Sequence, residues 1–153
     1  MELAKIKIRA INQDDTRRIW EIRNYPAVRD NSSQSDEIPL DKHISWFNKK
    51  YFSGQTNACF VLEYDQEVAG YCRFDSEDKG FRVSIALDPA YHGKGFGTFF
   101  LAEASSKFGQ DKTLLAEIKK NNQPSVQIFK KVGFHVINES DTYWYFQKDP
   151  ILA

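Results

Sequence analysis

A run rich in β-branched and apolar residues, Val83-Ser84-Ile85-Ala86-Leu87, stops at Asp88-Pro89, and a helical pattern begins within the glycines of Tyr91-His92-Gly93-Lys94-Gly95-Phe96-Gly97-Thr98. This reads as a strand, a turn and a helix start. Glycine carries no Cβ, so several backbone N–H groups can converge on one anion while the positive end of the following helix points at it. Two familiar phosphate loops do not fit. A P-loop needs Ser or Thr after its lysine, and Lys94 is followed by Gly95. A dinucleotide fingerprint needs G-x-G-x-x-G, whereas the glycines here fall at 93, 95 and 97. The plainer alternative is a glycine-rich connection that holds no ligand.

At 153 residues the chain reads as a single domain, 1–153, able to bury about two-thirds of the surface its unfolded form exposes. Lys plus Arg and Asp plus Glu each number 21, so no global field favours nucleic acid or an acidic membrane, and an anion site must be local. Cys59 and Cys72 lie in apolar alternating segments, where cysteine is most often a small buried hydrophobe. Two cysteines and three histidines without close spacing argue against a metal site. Met1-Glu2-Leu3-Ala4-Lys5 lacks the apolar core of a signal peptide, and no apolar run reaches spanning length, so a cytoplasmic protein is expected.

Along the chain, Ile6, Ile8 and Ala10 alternate with basic residues as a first strand. Asn12 to Asp15 offer caps for a helix through Ile19, Trp20 and Ile22 that ends near Asn24, ahead of Pro26. After a polar loop, 30–37, Pro39 opens a second helix with Leu40, Ile44, Phe47 and Tyr51 as its core stripe and His43, Trp46 and Lys50 on the ridge beside it. Strands at 58–64 and 68–74 flank a hairpin at 65–67, and a polar turn at 75–80 leads to the strand 81–87. A helix over 98–108 presents Phe99, Leu101, Ala102 and Ser105 to the sheet. A strand at 113–118, a helix at 125–132 ended by Gly133, and a closing hairpin, 134–137 with 143–146, complete an α+β order with a mixed sheet and about four helices.

The stretch Leu87-Asp88-Pro89-Ala90-Tyr91-His92-Gly93-Lys94-Gly95-Phe96-Gly97-Thr98, then Ala116-Glu117-Ile118, then Asn122, Ser125, Phe129 and Gly133-Phe134, resembles the GCN5-related N-acetyltransferases. The resemblance spans the whole chain in element order and implies a mostly antiparallel sheet with a splayed central strand pair. It also implies acetyl-CoA as donor. Its diphosphate would be held by residues 92–98, namely His92, Gly93, Lys94, Gly95, Phe96, Gly97 and Thr98. The pantetheine arm would meet the strand at Ile85, Ala86 and Leu87, with Asn122, Ser125 and Phe129 opposite. An amine must lose a proton before it attacks a thioester, and Glu117 matches the acidic position that serves as base in ribosomal-protein alanine acetyltransferases. The plain alternative is a strand-end glutamate facing solvent. Many relatives carry tyrosine as general acid where this chain has Phe129; Tyr91 and Tyr143 are other phenols, and none is selected.

For the acceptor, Arg23-Asn24-Tyr25-Pro26-Ala27-Val28-Arg29 followed by His43-Ile44-Ser45-Trp46 resembles acetyltransferases of the pseudaminic acid type, which modify the 4-amino group of nucleotide-linked sugars. That resemblance implies substrate contacts at Arg23, Asn24, Arg29, His43 and Trp46. Each has a plainer structural reading: a solvated arginine face, or a core histidine. Two alternatives stand beside it: a protein N-terminal acetyltransferase of the ribosomal type, and a non-catalytic acyl-CoA-binding module. The expected partner is a small-molecule amine rather than nucleic acid or membrane, with the protein a monomer or homodimer.

Overall fold

The structure is a computed structural model that describes residues 1–33, 35–54 and 56–151. Seven strands form one sheet in the order β1-β2-β3-β4-β5-β7-β6: β1 Ile6–Ala10, β2 Ala58–Tyr64, β3 Glu67–Glu77, β4 Gly80–Leu87, β5 Leu114–Lys119, β6 His135–Glu139 and β7 Tyr143–Lys148. All neighbours are antiparallel except β4 and β5. The helices are α1 Thr16–Asn24, the single turn α2 Pro26–Arg29, α3 Leu40–Tyr51, α4 Phe96–Phe108 and α5 Gln123–Val132. The expected fold class and element order hold.

Strand alternation sends apolar residues to both faces, and helices cover each. On one face Phe100, Leu101 and Ala104 of α4, with Val126 and Phe129 of α5, bury Leu62, Cys72, Phe74, Val83, Leu114, Ala116 and Ile118. On the other, Ile19 and Ile22 of α1 and Phe47 of α3 cover Cys59, Val61 and Tyr71. Each fully buried large side chain stabilises the fold by about 1.5–3 kcal/mol. Both cysteines are buried and free.

Three of the differences from the sequence expectation bear on how the layers pack. In α3 the buried positions are His43 and Phe47, with rings stacked at 5.1 Å, while Ile44 is 39% exposed. His43, hydrogen-bonded to Thr16 of α1, takes an inward position, and of the expected stripe Ile44 is turned out while Leu40 and Tyr51 stay half-buried. In α4 the helix starts at Phe96, and Phe100, Leu101, Ala104 and Ser105 face the sheet while Ala102 is exposed. The earlier start fixes the stripe. The polar segment 75–80 is mostly strand: β3 and β4 stay paired to Glu77↔Gly80, leaving only Asp78 and Lys79 in the turn. Asp75 remains within the strand because Arg73, Lys50 and Tyr51 partner its carboxylate.

The sheet is interrupted at one place. The parallel pair β4–β5 is in register only at Phe81↔Leu114 and Arg82↔Leu115. Beyond them β4 runs on to Leu87 beside β3, and β5 runs on to Lys119 beside β7. The two central strands therefore diverge in a V that opens toward the glycine turn.

Candidate active site

The backbone lining the V is fixed by strand alternation. Phe81 N–H donates to Thr113 O at 3.0 Å on the β5 side, and Asp88 N–H donates to Ala69 O at 2.8 Å on the β3 side. With no register shift between them, the N–H groups of Ile85 and Leu87 face the opening beyond the last β4–β5 pair. The end of β4 is pinned: Asp88 accepts from Ala90 N–H at 2.9 Å and from Arg18 Nη2 at 2.6 Å, and Arg18 Nε donates to Val68 O.

At the mouth, Gly93 and Gly95 have φ of +72° and +87°. A Cβ at either would meet nothing within 4 Å, so the left-handed backbone, rather than crowding, selects glycine there. Gly95 is the N-cap of α4, and the first-turn N–H groups of Phe96, Gly97 and Thr98 have no intrahelical acceptor. Convergent donors, the positive helix end and exposed Lys94 together make an anion cradle that suits a diphosphate. The donor set therefore fits a coenzyme A diphosphate followed by an amide-bearing arm along Ile85 and Leu87.

Other residues expected at this site have structural duties. His92 is exposed, and its Nε2 donates to Leu87 O at 2.9 Å, which requires the proton on Nε2. The Phe96 side chain packs edge-on against Tyr64 and Tyr91, so only its backbone faces the mouth. Gly97 is a packing glycine, since its Cβ would lie 2.7 Å from Ile128 Cδ1 of α5. Asn122 caps α5 by accepting from Ser125 N–H at 3.4 Å. Phe129 is 2% exposed and packs its ring against Phe134 and Phe146; no phenol is offered from that position.

On the opposite face of the sheet, Glu117 of β5 lies two residues past the last β4–β5 pair. Its Oε2 accepts from Arg82 Nη1 at 2.9 Å, and Arg82 Nε donates to Glu77 Oε1 at 2.9 Å. Glu117 is 22% exposed, so it is neither a solvent-facing strand end nor a core residue. These three charges border a cavity of about 100 Å³ with Leu115, Ile137 and Tyr145.

The residues expected to contact the acceptor divide sharply. His43 is corrected: it is wholly buried, with Nε2 at 3.0 Å from Thr16 O and Nδ1 at 3.2 Å from Arg23 Nη1. Burial, then the nearby Arg23 charge, lowers its pKa to about 4, so it is a neutral core bridge between α1 and α3 and not a cleft wall. Asn24 is likewise engaged, its side chain donating to Ile38 O and accepting from Ile38 N–H. Arg29 donates to Asn24 O and Ser35 O, bracing the loop after α1. Arg23 and Trp46 do meet, the guanidinium lying 4.6 Å from the indole centroid.

Around that indole the structure gathers Lys50, its expected neighbour on the helix ridge, with two residues the sequence did not single out, Arg73 and Asp75. Arg73 Cζ lies 5.2 Å and Lys50 Nζ 5.3 Å from the Trp46 ring centroid. Asp75 ties the group together, accepting from Tyr51 OH at 2.5 Å and Arg73 Nη1 at 3.2 Å. The available signal was an arginine and an aspartate at every-second spacing after Tyr71, inside an otherwise apolar run. Arg82 was also missed.

The acetyltransferase (GNAT) domain family model matches residues 5–135. A Bacillus subtilis strain 168 protein whose name proposes a phosphinothricin acetyltransferase is 34% identical over 115 residues, 67% of each chain. Spermidine N(1)-acetyltransferase of Escherichia coli K12 is 26% identical over 147 residues, covering 88% of this chain and 75% of that protein. Among solved structures, yncA of Salmonella typhimurium with its cofactor acetyl-CoA superposes with a TM-score of 0.76 at 21% identity, covering 96% and 95% of the two chains. The ribosomal L7/L12 alpha-N-protein acetyltransferase RimL with coenzyme A reaches 0.81 at 11% identity, covering 95% and 94%.

Proposed function

The chain belongs to the acetyltransferase (GNAT) family and is an acetyl-CoA-dependent N-acetyltransferase; on that premise we propose that its acceptor is the primary amine of a small molecule, and specifically the 4-amino group of a nucleotide-linked sugar. The observation that carries the reading is the divergence of β4 from β5 beneath the glycine turn, with Glu117 at the edge of the opening on the face opposite α4 and α5.

Bound acetyl-CoA supplies an acetyl thioester. The chain's own residues do the rest. Backbone N–H groups of 93–98 hold the diphosphate, and those of Ile85 and Leu87 hold the arm and polarise the carbonyl under attack. Glu117 takes the proton of the acceptor ammonium: Arg82 holds Oε2 and so orients the carboxylate, leaving Oε1 for the amine. A thiol of pKa about 8.5 leaves readily near neutral pH, so a phenol at Phe129 is not required. The cations around Trp46 suit a nucleotide diphosphate, and the indole suits stacking on a base or sugar ring.

Release of CoA thiol is measured with a UDP-linked 4-amino sugar, ribosomal N-terminal peptides and polyamines set side by side. Preferential turnover of the amino sugar is expected. Turnover of peptides alone moves the protein to N-terminal acetylation, and acetyl-CoA binding without turnover of any amine overturns the enzymatic reading of this site.

A further inference from the structure

The group around Trp46 is unbalanced. Arg23, Lys50 and Arg73 surround the ring, and Asp75 is the carboxylate that meets them, forming ion pairs with Lys50 at 3.5 Å and Arg73 at 3.2 Å. Arg23 has no ion pair among the described residues; its one hydrogen bond is to the His43 ring. Burial, with Arg73 close by, lowers the Arg23 pKa, as expected of a cation whose charge is not matched. Arg73 is 17% exposed, and its Nε is fully buried with no hydrogen-bond partner. A buried guanidinium N–H without an acceptor is costly in a folded protein, so its presence calls for an explanation.

The group also lies beside the reaction. Arg73 is paired with Ser84, and Asp75 with Arg82, across β3 and β4. Register partners share a face, and that face carries Arg82 and, through it, Glu117. Arg73 is thus one strand spacing, about 4.8 Å, from the unpaired length of β4. Glu77 and Glu117 are both engaged by Arg82, so Asp75 is the carboxylate left to meet Arg23, Lys50 and Arg73, and positive charge is in excess around Trp46.

We propose that Arg23 and Arg73, framed on Trp46, form an anion subsite that selects acceptors carrying a phosphate or carboxylate beside the reacting amine. This rests on the amine-acetylating reading above and names the chemistry of its acceptor. Guanidinium groups present paired N–H donors that match both anions, and the aromatic face holds the planes in place without neutralising them. The same surplus repels a polycationic amine. Arg73 is the specificity-determining residue, because its side chain reaches between Trp46 and Asp75.

The test compares matched acceptors: the UDP-linked 4-amino sugar against the free amino sugar for phosphate, 4-aminobutyrate against its amide for carboxylate, and spermidine as the polycation. At least one anionic acceptor is expected to exceed its neutral partner by about tenfold or more in kcat/KM, chiefly through KM, with spermidine lowest. Whichever pair shows the preference identifies the anion. Arg73→Gln brings that ratio to near one, the loss falling chiefly on the anionic acceptor, and Arg73→Lys retains part of the preference. Arg23→Gln, on a different element, gives a second reading if the strand variant folds poorly. Spermidine equal to the anionic acceptors, or an unchanged ratio in both Gln variants, overturns the subsite. If no amine is turned over, the acetyl-transfer reading fails on its own, and the subsite is judged by calorimetric titration of inorganic pyrophosphate into protein saturated with CoA. Binding lost in Arg73→Gln supports it; absence of binding, or equal binding, overturns it.

Discussion

Replacing Glu117 by Gln isolates the chemistry of one carboxylate with little structural disturbance. The side chain keeps its size, and its amide oxygen still accepts from Arg82, which also retains Glu77. The pair lost is 22% and 43% exposed, so solvent screening holds its contribution to about 1 kcal/mol or less, which is a melting shift of about 2–4 °C at most for a chain of this size. The glycine turn is untouched, and acetyl-CoA affinity by calorimetry is expected to match the parent. If Glu117 accepts the ammonium proton, kcat/KM near neutral pH falls by about 10²–10⁴. An acceptor with an alkyl-amine pKa near 10 is almost fully protonated at pH 7 and substantially free at pH 9.5, so the deficit is expected to shrink as pH rises and free amine bypasses the base. Thiol release followed from pH 6.5 to 9.5 checks both. A variant within about threefold of the parent across that range would refute the role and leave Glu117 as the partner that orders Arg82.

Gly95→Ala forces an L side chain to φ +87° at the N-cap of α4 with no steric clash, so the cost is backbone strain of about 1–2 kcal/mol; a lower melting temperature and weaker acetyl-CoA binding by calorimetry are expected. His43 binds its proton at about pH 4 when folded and near 6.5 when unfolded. Its neutral ring therefore contributes stability that is fully present above pH 6.5 and is lost as pH falls toward 4, on the order of 3 kcal/mol across that window. Urea unfolding of parent and His43→Gln between pH 7.5 and 4 measures it: the parent's slope should be steeper, and parallel curves would show that other groups govern the acid limb.

Gly93-Lys94-Gly95 after Asp88-Pro89 was readable as an anion cradle because its two requirements, positive φ and a helix start, are local properties of glycine and of the residues that follow. The hairpin at Asp65-Gln66 was equally legible, although both residues take positive φ without glycine. The cysteines at 59 and 72 followed from strand alternation, and both are buried as expected.

The acceptor side was not legible in the same way. The resemblance put His43 in a cleft beside the plainer reading of a core histidine, and its sequence neighbours do not decide between them, because Thr16 O and Arg23, which fill its hydrogen-bonding capacity, lie on another element. Arg73 fell inside an expected strand and Asp75 in an expected polar turn, and neither stood out, because the partners that hold their charges, Lys50, Tyr51 and Trp46, belong to α3. Local periodicity determines which residues form a strand, a helix or a turn, since those choices depend on torsion and near-neighbour contacts. Packing α1 and α3 onto β3 decides which polar groups are spent on the fold and which keep an unmatched charge, because hydrogen bonding and desolvation act between residues far apart in sequence. The sequence by itself determined the element order and the glycine turn; tertiary structure alone decided which face of α3 is buried, the ion pair on Glu117 and the excess of positive charge around Trp46.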